Sequence, residues 1–317
     1  MQAASDHSPT QALAAPAGLE ISVEFFPPRS PEMADRLEAC ASRLRELEPI
    51  FASVTYGAGG STQGQTLETV LRIQRATGIA GAAHLTCVGA SRGQVDDVAR
   101  GYQAAGVGHI VALRGDPPAG DQRYTPHPQG YAYAADLVAG LRRVGDFEIS
   151  VAAYPETHPE ALSPAADLDN LKRKLDAGAT QAITQFFFDS DAFLRFLERA
   201  RGAGIAAPIV PGILPISNFK GMLGFAARCG ARVPEWLHRR FAGCEEGGPE
   251  GHPVAVEVAV EQCRLLLDHG INAFHFYTLN RDDLTRRICE QLTRPIAAAA
   301  GTQPPAGLGH RAEGLRA

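Results

Sequence analysis

The sequence predicts an α/β protein built as one (β/α)8 TIM barrel with a single domain. Short apolar runs alternate with segments of helical periodicity about eight times over roughly 275 residues, which is the count and length of such a barrel. A doubly wound sheet would give fewer units or a second domain, and no linker separates one. Polar residues also stand at the ends of nearly all predicted strands, where barrel enzymes carry their chemistry.

The first strand is predicted at 21–25, with the sequence ISVEF. Its β-branched and aromatic residues suit a buried strand, and Pro27 and Pro28 end it because neither can donate a ladder hydrogen bond. Glu24 therefore lies near the end of a strand that should be buried. Buried carboxylates usually have a partner or a use, although pairing with Arg29 or exposure to solvent would also explain Glu24.

The first half of the chain alternates regularly between the two patterns. Apolar residues at helical spacing, such as Leu37, Leu44 and Leu47, predict helices, and short apolar runs between turn residues predict strands. The predicted helices are 33–47, 65–77, 92–105 and 131–144, and the predicted strands are 51–55, 79–85, 109–113 and 148–153.

The second half continues the alternation with an extra helical stretch before the last strand. Asp167 is predicted to cap a helix at 168–177, and Ser190 or Asp191 to cap the helix that ends near 202–204. Strands are predicted at 182–187, at 209–214 with breaks at Pro211 and Gly212, and at 273–277. The remaining predicted helices are 219–229, 234–241, 254–269 and 282–292.

The two ends of the chain lack periodicity. Residues 1–17 and 297–317 are rich in small and polar residues, so they are predicted to be disordered tails around a barrel at 18–296. The N-terminus has no secretory signal pattern, and no apolar run is long enough to span a bilayer. The net charge of −5 argues against a general nucleic-acid binder. These features predict a cytoplasmic protein.

Known short motifs for metals and nucleotides are missing from the sequence. The six cysteines have no CxxC spacing, so they read as reduced thiols with no disulfide framework and no zinc site. GAGGST fails the GxGxxG fingerprint because Thr62 stands where the third glycine belongs, and there is no Walker A sequence. A large cofactor would therefore be held by the loops that follow the strands.

Those loops carry polar residues that would converge on one cleft. Each is weak evidence alone, and a lone histidine such as His84 is more often structural than catalytic. Near the start of the helix at 168–177, Asn170, Arg173 and Lys174 share a face that could meet a diphosphate, or could simply be solvated. The strand-end residues are Glu24, Thr55, Tyr56, His84, Arg114, Gly115, Asp116, Tyr154, Gln185, Tyr277 and Arg281.

Several of these residues stand in motifs that resemble the methylenetetrahydrofolate reductase family. The motifs occur in family order over roughly residues 19–295 and are too long for chance. They are EFFPPR at 24–29, VTYGAGGST at 54–62, AHLTC at 83–87, LRGDPP at 113–118, VAAYPE at 151–156, ITQFFFD at 183–189, PGILPISNF at 211–219 and HFYTLNR at 275–281. The chain resembles the short bacterial form, without the regulatory domain of the eukaryotic enzymes.

The resemblance implies an FAD-dependent barrel that reduces 5,10-methylenetetrahydrofolate to 5-methyltetrahydrofolate with NADH or NADPH, by ping-pong kinetics, for methionine synthesis. It implies that Glu24 is the general acid, that Asp116 lies near flavin and pterin, and that Gln185 binds the pterin. Thr55 matches a nicotinamide contact, and Phe225, Tyr277 and Arg281 line the substrate cleft. The positions that match the FAD site are Tyr56, Ala58, His84, Arg114, Gly115, Asp116, Ala134, Tyr154, His158, Ala161, Asp167, Asn170, Arg173 and Lys174. The family also forms homo-oligomers.

The residues suit this chemistry. A folate ring nitrogen must leave as an amine, so a proton donor is needed, and burial would raise the pKa of Glu24 toward that role. Asp116 could stabilise the cationic iminium, and Gln185 can both donate and accept at the pterin edge. Two alternatives remain: another flavin barrel oxidoreductase, such as one like proline dehydrogenase, and a non-catalytic flavin or folate carrier.

Overall fold

The computed structural model describes residues 18–56, 63–117, 124–244 and 246–293. Both predicted tails and the predicted FAD contact Ala58 lie outside the described residues. The described part forms one parallel sheet that curls into a nearly closed barrel with helices around it, which confirms the predicted (β/α)8 class. None of the helices in this part is long and apolar enough to cross a membrane.

The strands follow the predicted positions closely. Their order in the sheet is β7-β6-β5-β4-β3-β2-β1-β9-β8, so neighbours along the chain are mostly neighbours in the barrel. The strands are β1 (Glu20–Phe25), β2 (Phe51–Val54), β3 (Gly81–Thr86), β4 (His109–Leu113), β5 (Glu148–Ala153), β6 (Gln181–Thr184), β7 (Ile209–Val210), β8 (Gly212–Ile213) and β9 (Ala273–Tyr277).

The seventh barrel strand is split in two by Pro211, as its sequence predicted. β7 pairs with β6, and β8 pairs with β9, so the two halves bridge opposite edges of the sheet. Gly212 comes so close to its neighbours that an added Cβ would lie 2.2 Å from the carbonyl oxygen of Thr184. The break at Pro211 and the small residue after it therefore allow the barrel to close.

The helices lie outside the strands and bury one face each. α7 and α8 are the extra helical elements before the last strand, as predicted. The helices are α1 (Pro31–Leu44), α2 (Gln63–Thr77), α3 (Arg92–Ala104), α4 (Ala134–Val144), α5 (Pro164–Asp176), α6 (Ser190–Gly202), α7 (Phe219–Cys229), α8 (Glu235–Arg240), α9 (Gly251–Asp268) and α10 (Asp283–Thr293).

Two predicted helix caps are wrong. α5 begins at Pro164, and its N-cap is Ser163, whose hydroxyl accepts a hydrogen bond from the N–H of Ala166. Asp167 therefore lies inside the first turn. α6 is capped by Asp189, whose carboxylate accepts from the N–H of Ala192. In both cases an earlier oxygen side chain starts the helix sooner, and a proline at the first turn of α5 needs no N–H partner.

The core has two parts. The larger packs the outer faces of the strands against the helices, with residues such as Val23, Phe274 and Phe276 almost fully buried. The smaller lies inside the barrel and is built from Phe51, Ala82, Val111, Ile183 and Val210. Toward the carboxyl ends of the strands the barrel interior becomes polar, and the candidate site lies there.

Candidate active site

Glu24 lies inside the barrel, near the carboxyl ends of the strands, between two histidines. Its Oε2 is 3.2 Å from His84 Nε2 on β3 and 3.5 Å from His275 Nε2 on β9. These contacts are close but poorly directed, since neither Nε2 meets hydrogen-bond geometry. The Glu24 side chain is 18% exposed, whereas Arg29 is exposed on the surface. Glu24 is therefore held in the barrel by imidazoles.

The two histidines decide the charge of Glu24. Burial alone favours the protonated acid, but the charge of His84, with further contributions from His275, outweighs burial and lowers the pKa of Glu24 to about 2. The expectation of a raised pKa for Glu24 is wrong: burial does raise it, but the imidazoles on β3 and β9 lower it by more. Ser22 fixes His275 from below, with its Oγ 2.8 Å from Nδ1.

A third histidine occupies the lower barrel. His109 Nε2 lies 2.8 Å from Ser150 Oγ, which also accepts a hydrogen bond from the Gln181 side chain. The ring of Phe51 lies between His109 and His275, with centroid distances of 4.4 and 5.8 Å. Burial, followed by the charges of His275 and His84, lowers the pKa of His109 to about 4. This histidine is therefore neutral near pH 7.

One wall of the mouth is aromatic. The Tyr277 hydroxyl donates to the Thr184 carbonyl at 2.7 Å. Phe186 stacks on Phe225, with ring centroids 5.2 Å apart. Gln185 is half-buried directly before Phe186, and its Oε1 accepts from the N–H of Phe186. The structure thus places three predicted cleft residues, Gln185, Phe225 and Tyr277, around one aromatic cluster.

A second polar group lies where β4 and β5 end. Arg114 forms a two-pronged ion pair with Glu160, with Nη1–Oε2 and Nη2–Oε1 distances of 2.5 and 3.2 Å. Gly115 has a φ of +87°, a conformation that favours glycine. Burial raises the pKa of Tyr154 to about 12, and the negative charge of Asp116 adds to this effect. Asp116 itself is exposed. Arg114 and Asp116 thus border the same mouth.

α5 and the loop before it join this group. The Asp167 carboxylate accepts from the N–H of His158 at 2.8 Å, and the His158 ring packs edge-on against Tyr154. Lys174 is only 6% exposed and donates to the carbonyl of Ala152 at 2.5 Å. Burial lowers the pKa of Lys174 to about 8, although the charge of Asp167 opposes that effect.

The expected basic face of α5 is only partly present. Lys174 points inward to the end of β5, whereas Arg173 is 64% exposed and pairs with Asp169 at 3.2 Å. Asn170 is half-buried on the preceding turn. Arg173 is therefore available to an anion at the surface, while Lys174 is engaged by a backbone carbonyl.

The remaining predicted positions lie in the segments that follow β2, β5 and β9 and at the start of α4. Thr55 and Tyr56 are half-buried directly after β2, and Ala134 is the first residue of α4. The N–H of Ala161 donates to the carbonyl of His158 at 2.9 Å. The N–H of Arg281 donates to the Thr278 carbonyl. Arg281 is the one exposed residue among these five positions.

Buried polar atoms without hydrogen-bond partners collect in this part of the barrel. Five such side-chain atoms occur among the described residues. Four belong to Ser53, His84, Thr86 and His275, which follow the alternation of the inner barrel face near Glu24. The two histidine nitrogens face the Glu24 carboxylate, whereas the hydroxyls of Ser53 and Thr86 have no partner and could meet a polar ligand. No group of three or more potential metal ligands occurs in the described chain.

Comparisons with known proteins identify the family of this chain. A sequence model of the family "Methylenetetrahydrofolate reductase" matches residues 10–293. The chain is 47% identical to the 5,10-methylenetetrahydrofolate reductase of Pectobacterium carotovorum over 281 residues, which covers 88% of this chain and 92% of the relative. It is 46% identical to the Escherichia coli enzyme of the same name, covering 86% and 90%. The chain belongs to the methylenetetrahydrofolate reductase family.

A solved structure shows the same fold at lower similarity. It is described as an uncharacterized protein from Clostridium thermocellum that binds two copies of 5-methyl-5,6,7,8-tetrahydrofolic acid. Its TM-score is 0.59 at 15% identity, with coverage of 87% of this chain and 94% of that one. This likeness concerns the barrel fold alone.

In this member of the methylenetetrahydrofolate reductase family, sequence reasoning missed several residues of the site. Ser22 and His275 stand in recognised strands, and the inward period of β1 and β9 could have indicated them. Glu160 and Tyr124, which contact Arg114, lie in loops without periodicity. Their roles follow only from the path of the chain in space.

Proposed function

We propose that this reductase binds FAD and uses NADH or NADPH to reduce 5,10-methylenetetrahydrofolate to 5-methyltetrahydrofolate by a ping-pong mechanism. The product would supply methyl groups for methionine synthesis. Family membership carries the reductase activity and the folate substrate. The observation that supports the chemistry is the placement of Glu24, buried at the barrel mouth between His84 and His275.

The residues present fit a flavin dinucleotide. The buried hydroxyl of Thr86, which has no hydrogen-bond partner, could meet a polar atom of the cofactor at the end of β3. Arg114, directly after β4, and Arg173, in the last turn of α5, provide cationic side chains that could meet the anionic part of the cofactor. When bound there, FAD would supply hydride transfer. The aromatic cluster around Phe225 would offer a flat surface to a nicotinamide or a pterin in turn.

The protein's contribution to ring opening is a proton and a counter-charge. Because the pKa of Glu24 is about 2, the free carboxylate is ionised near neutral pH. We infer that Glu24 acts as a unit with its two imidazoles and passes a proton to the folate nitrogen through Oε2. Ser22 fixes the orientation of His275 for this purpose. Asp116, exposed at the same mouth, would offset the positive charge of the iminium.

The experiment that tests this function is an anaerobic titration of the purified full-length protein. We expect a flavin spectrum, release of FAD on denaturation, bleaching by NADH or NADPH, and recovery of colour on adding methylenetetrahydrofolate with formation of the methyl product. Bound FMN, or no flavin after gentle purification, would refute the cofactor. A flavin that bleaches but never reoxidises with folate would favour another flavin barrel oxidoreductase, and one that does not bleach would favour a carrier.

A further inference from the structure

The ion pair between Arg114 and Glu160 joins two loops of the site. Arg114 directly follows β4, and Glu160 lies between β5 and α5. Both Nη atoms of Arg114 face the Glu160 carboxylate, at 2.5 and 3.2 Å. The Arg114 side chain is 18% exposed and that of Glu160 51%. The pair is therefore a partly buried, two-pronged contact, a class more specific than a typical surface ion pair.

Further contacts fix the plane of the Arg114 guanidinium. Its Nε donates to the carbonyl of Gly115 at 3.1 Å. Its central carbon lies 4.6 Å from the ring centroid of Tyr124, whose hydroxyl donates to the Ala132 carbonyl at 2.7 Å. The guanidinium is thus held along two edges and over one face.

Glu160 is itself fixed from the side of α5. Its N–H donates to His158 Nδ1 at 3.0 Å. The N–H of His158 in turn donates to the Asp167 carboxylate on α5. Hydrogen bonds thus run from α5 through His158 and Glu160 to Arg114. The resemblance placed Arg114, His158 and Asp167 at flavin contacts, but it assigned nothing to Glu160.

We propose that Glu160 is a positioning residue of the cofactor site, which holds Arg114 and the 154–162 segment in the arrangement that binds the anionic part of FAD. This inference rests on the proposed function. A free arginine side chain has four rotatable bonds, and ordering them on binding would lower affinity. Glu160 removes that cost beforehand and also ties together two loops that each carry several of the expected flavin contacts.

The opposite effect of Glu160 would be competition with the flavin for Arg114. A carboxylate near an anion weakens binding through repulsion. Glu160, however, is half exposed and its charge is already matched by Arg114, so solvent and the ion pair both screen that repulsion. Positioning is expected to win, and the two effects predict opposite signs for the same substitution.

The test measures how tightly the full-chain holoenzyme keeps FAD. Holoenzyme is diluted in steps, and released FAD is followed by its fluorescence. For Glu160→Gln we expect FAD to dissociate at about tenfold higher protein concentration than in wild type, with Glu160→Ala at least as weak. Glu261→Gln is the matched control, because Glu261 pairs with Arg240 in a similar two-pronged contact with 60% and 34% exposed side chains. This control should retain FAD like wild type.

A double substitution separates positioning from a general loss of structure. In an Arg114→Ala background, adding Glu160→Gln should cause no further loss of FAD, because the residue acts through Arg114. Unchanged or tighter FAD retention in Glu160→Gln would overturn the inference and leave the proposed function intact. A full additional tenfold loss in the Arg114→Ala background would also overturn it. Wild-type protein without FAD would refute the proposed function and this inference together.

Discussion

Replacing Glu24 by glutamine should separate the two halves of the reaction. The amide is nearly the same size as the carboxylate and fits the same partly buried position, so the barrel should keep its shape. What changes is the charge between His84 and His275 and the ability to pass a proton. Transfer of reducing equivalents from the nicotinamide needs no proton at a folate nitrogen, whereas opening the folate ring does.

The structure gives the size of the electrostatic loss. The pKa of Glu24 falls from its usual 4.5 to about 2, which corresponds to about 3 kcal/mol at roughly 1.4 kcal/mol per pH unit. Because the pKa is lower in the folded state, this stabilisation is present above about pH 4.5 and is lost as the pH falls through about 2. Glutamine should therefore lower the free energy of unfolding at pH 7 by up to about 3 kcal/mol.

The assay is stopped-flow absorbance of the bound flavin, recorded separately for each half-reaction. With NADH or NADPH, flavin reduction should proceed at nearly the wild-type rate in Glu24→Gln. With methylenetetrahydrofolate, reoxidation should slow by at least ~100-fold, the effect typical of a lost general acid. Glu20→Gln is the control, because Glu20 is an exposed glutamate in the same strand. It should change neither rate.

Two results would refute this reasoning. Equal slowing of both half-reactions would indicate a displaced flavin and would not support an acid role. Rates within a few-fold of wild type in both half-reactions, with little change in stability, would show that Glu24 neither donates a proton nor balances the histidines.

Three further predictions concern single side chains. Asp116→Asn should fold normally but raise the activation free energy of flavin reoxidation by folate by about 2–4 kcal/mol, because the iminium loses its counter-charge. Unchanged folate turnover would remove Asp116 from the mechanism. Arg173→Ala should weaken FAD retention several-fold on dilution without lowering the melting temperature, whereas Lys172→Ala, which removes the neighbouring pair with Asp176, should not; equal retention in both would exclude Arg173. His109→Gln should reduce the loss of stability between pH 6.5 and 4, measured by urea unfolding. The folded pKa of His109 is about 4 against 6.5 unfolded, so wild type loses up to about 3 kcal/mol as pH falls through this range, and parallel pH profiles would contradict the reasoning.

The sequence determined the elements of this barrel and their order. Each strand and helix depends on nearby residues, because burial on one face imposes a period of two or 3.6 on the chain itself. The break at Pro211 was visible for the same reason, since a proline limits its own backbone. The positions of Glu24, His84 and Arg114 at strand ends also followed, because parallel strands present those ends together.

Only the tertiary structure decided the charges and contacts within the site. The pKa of Glu24 depends on His84 and His275, which stand on two other strands and are far from Glu24 in sequence. The inward turn of Lys174 depends on where the carbonyl of Ala152 lies, and the partner of Arg114 depends on how the 154–162 segment folds back. Electrostatic and hydrogen-bond energies vary with distances between atoms of separate elements, and local periodicity contains no such distances.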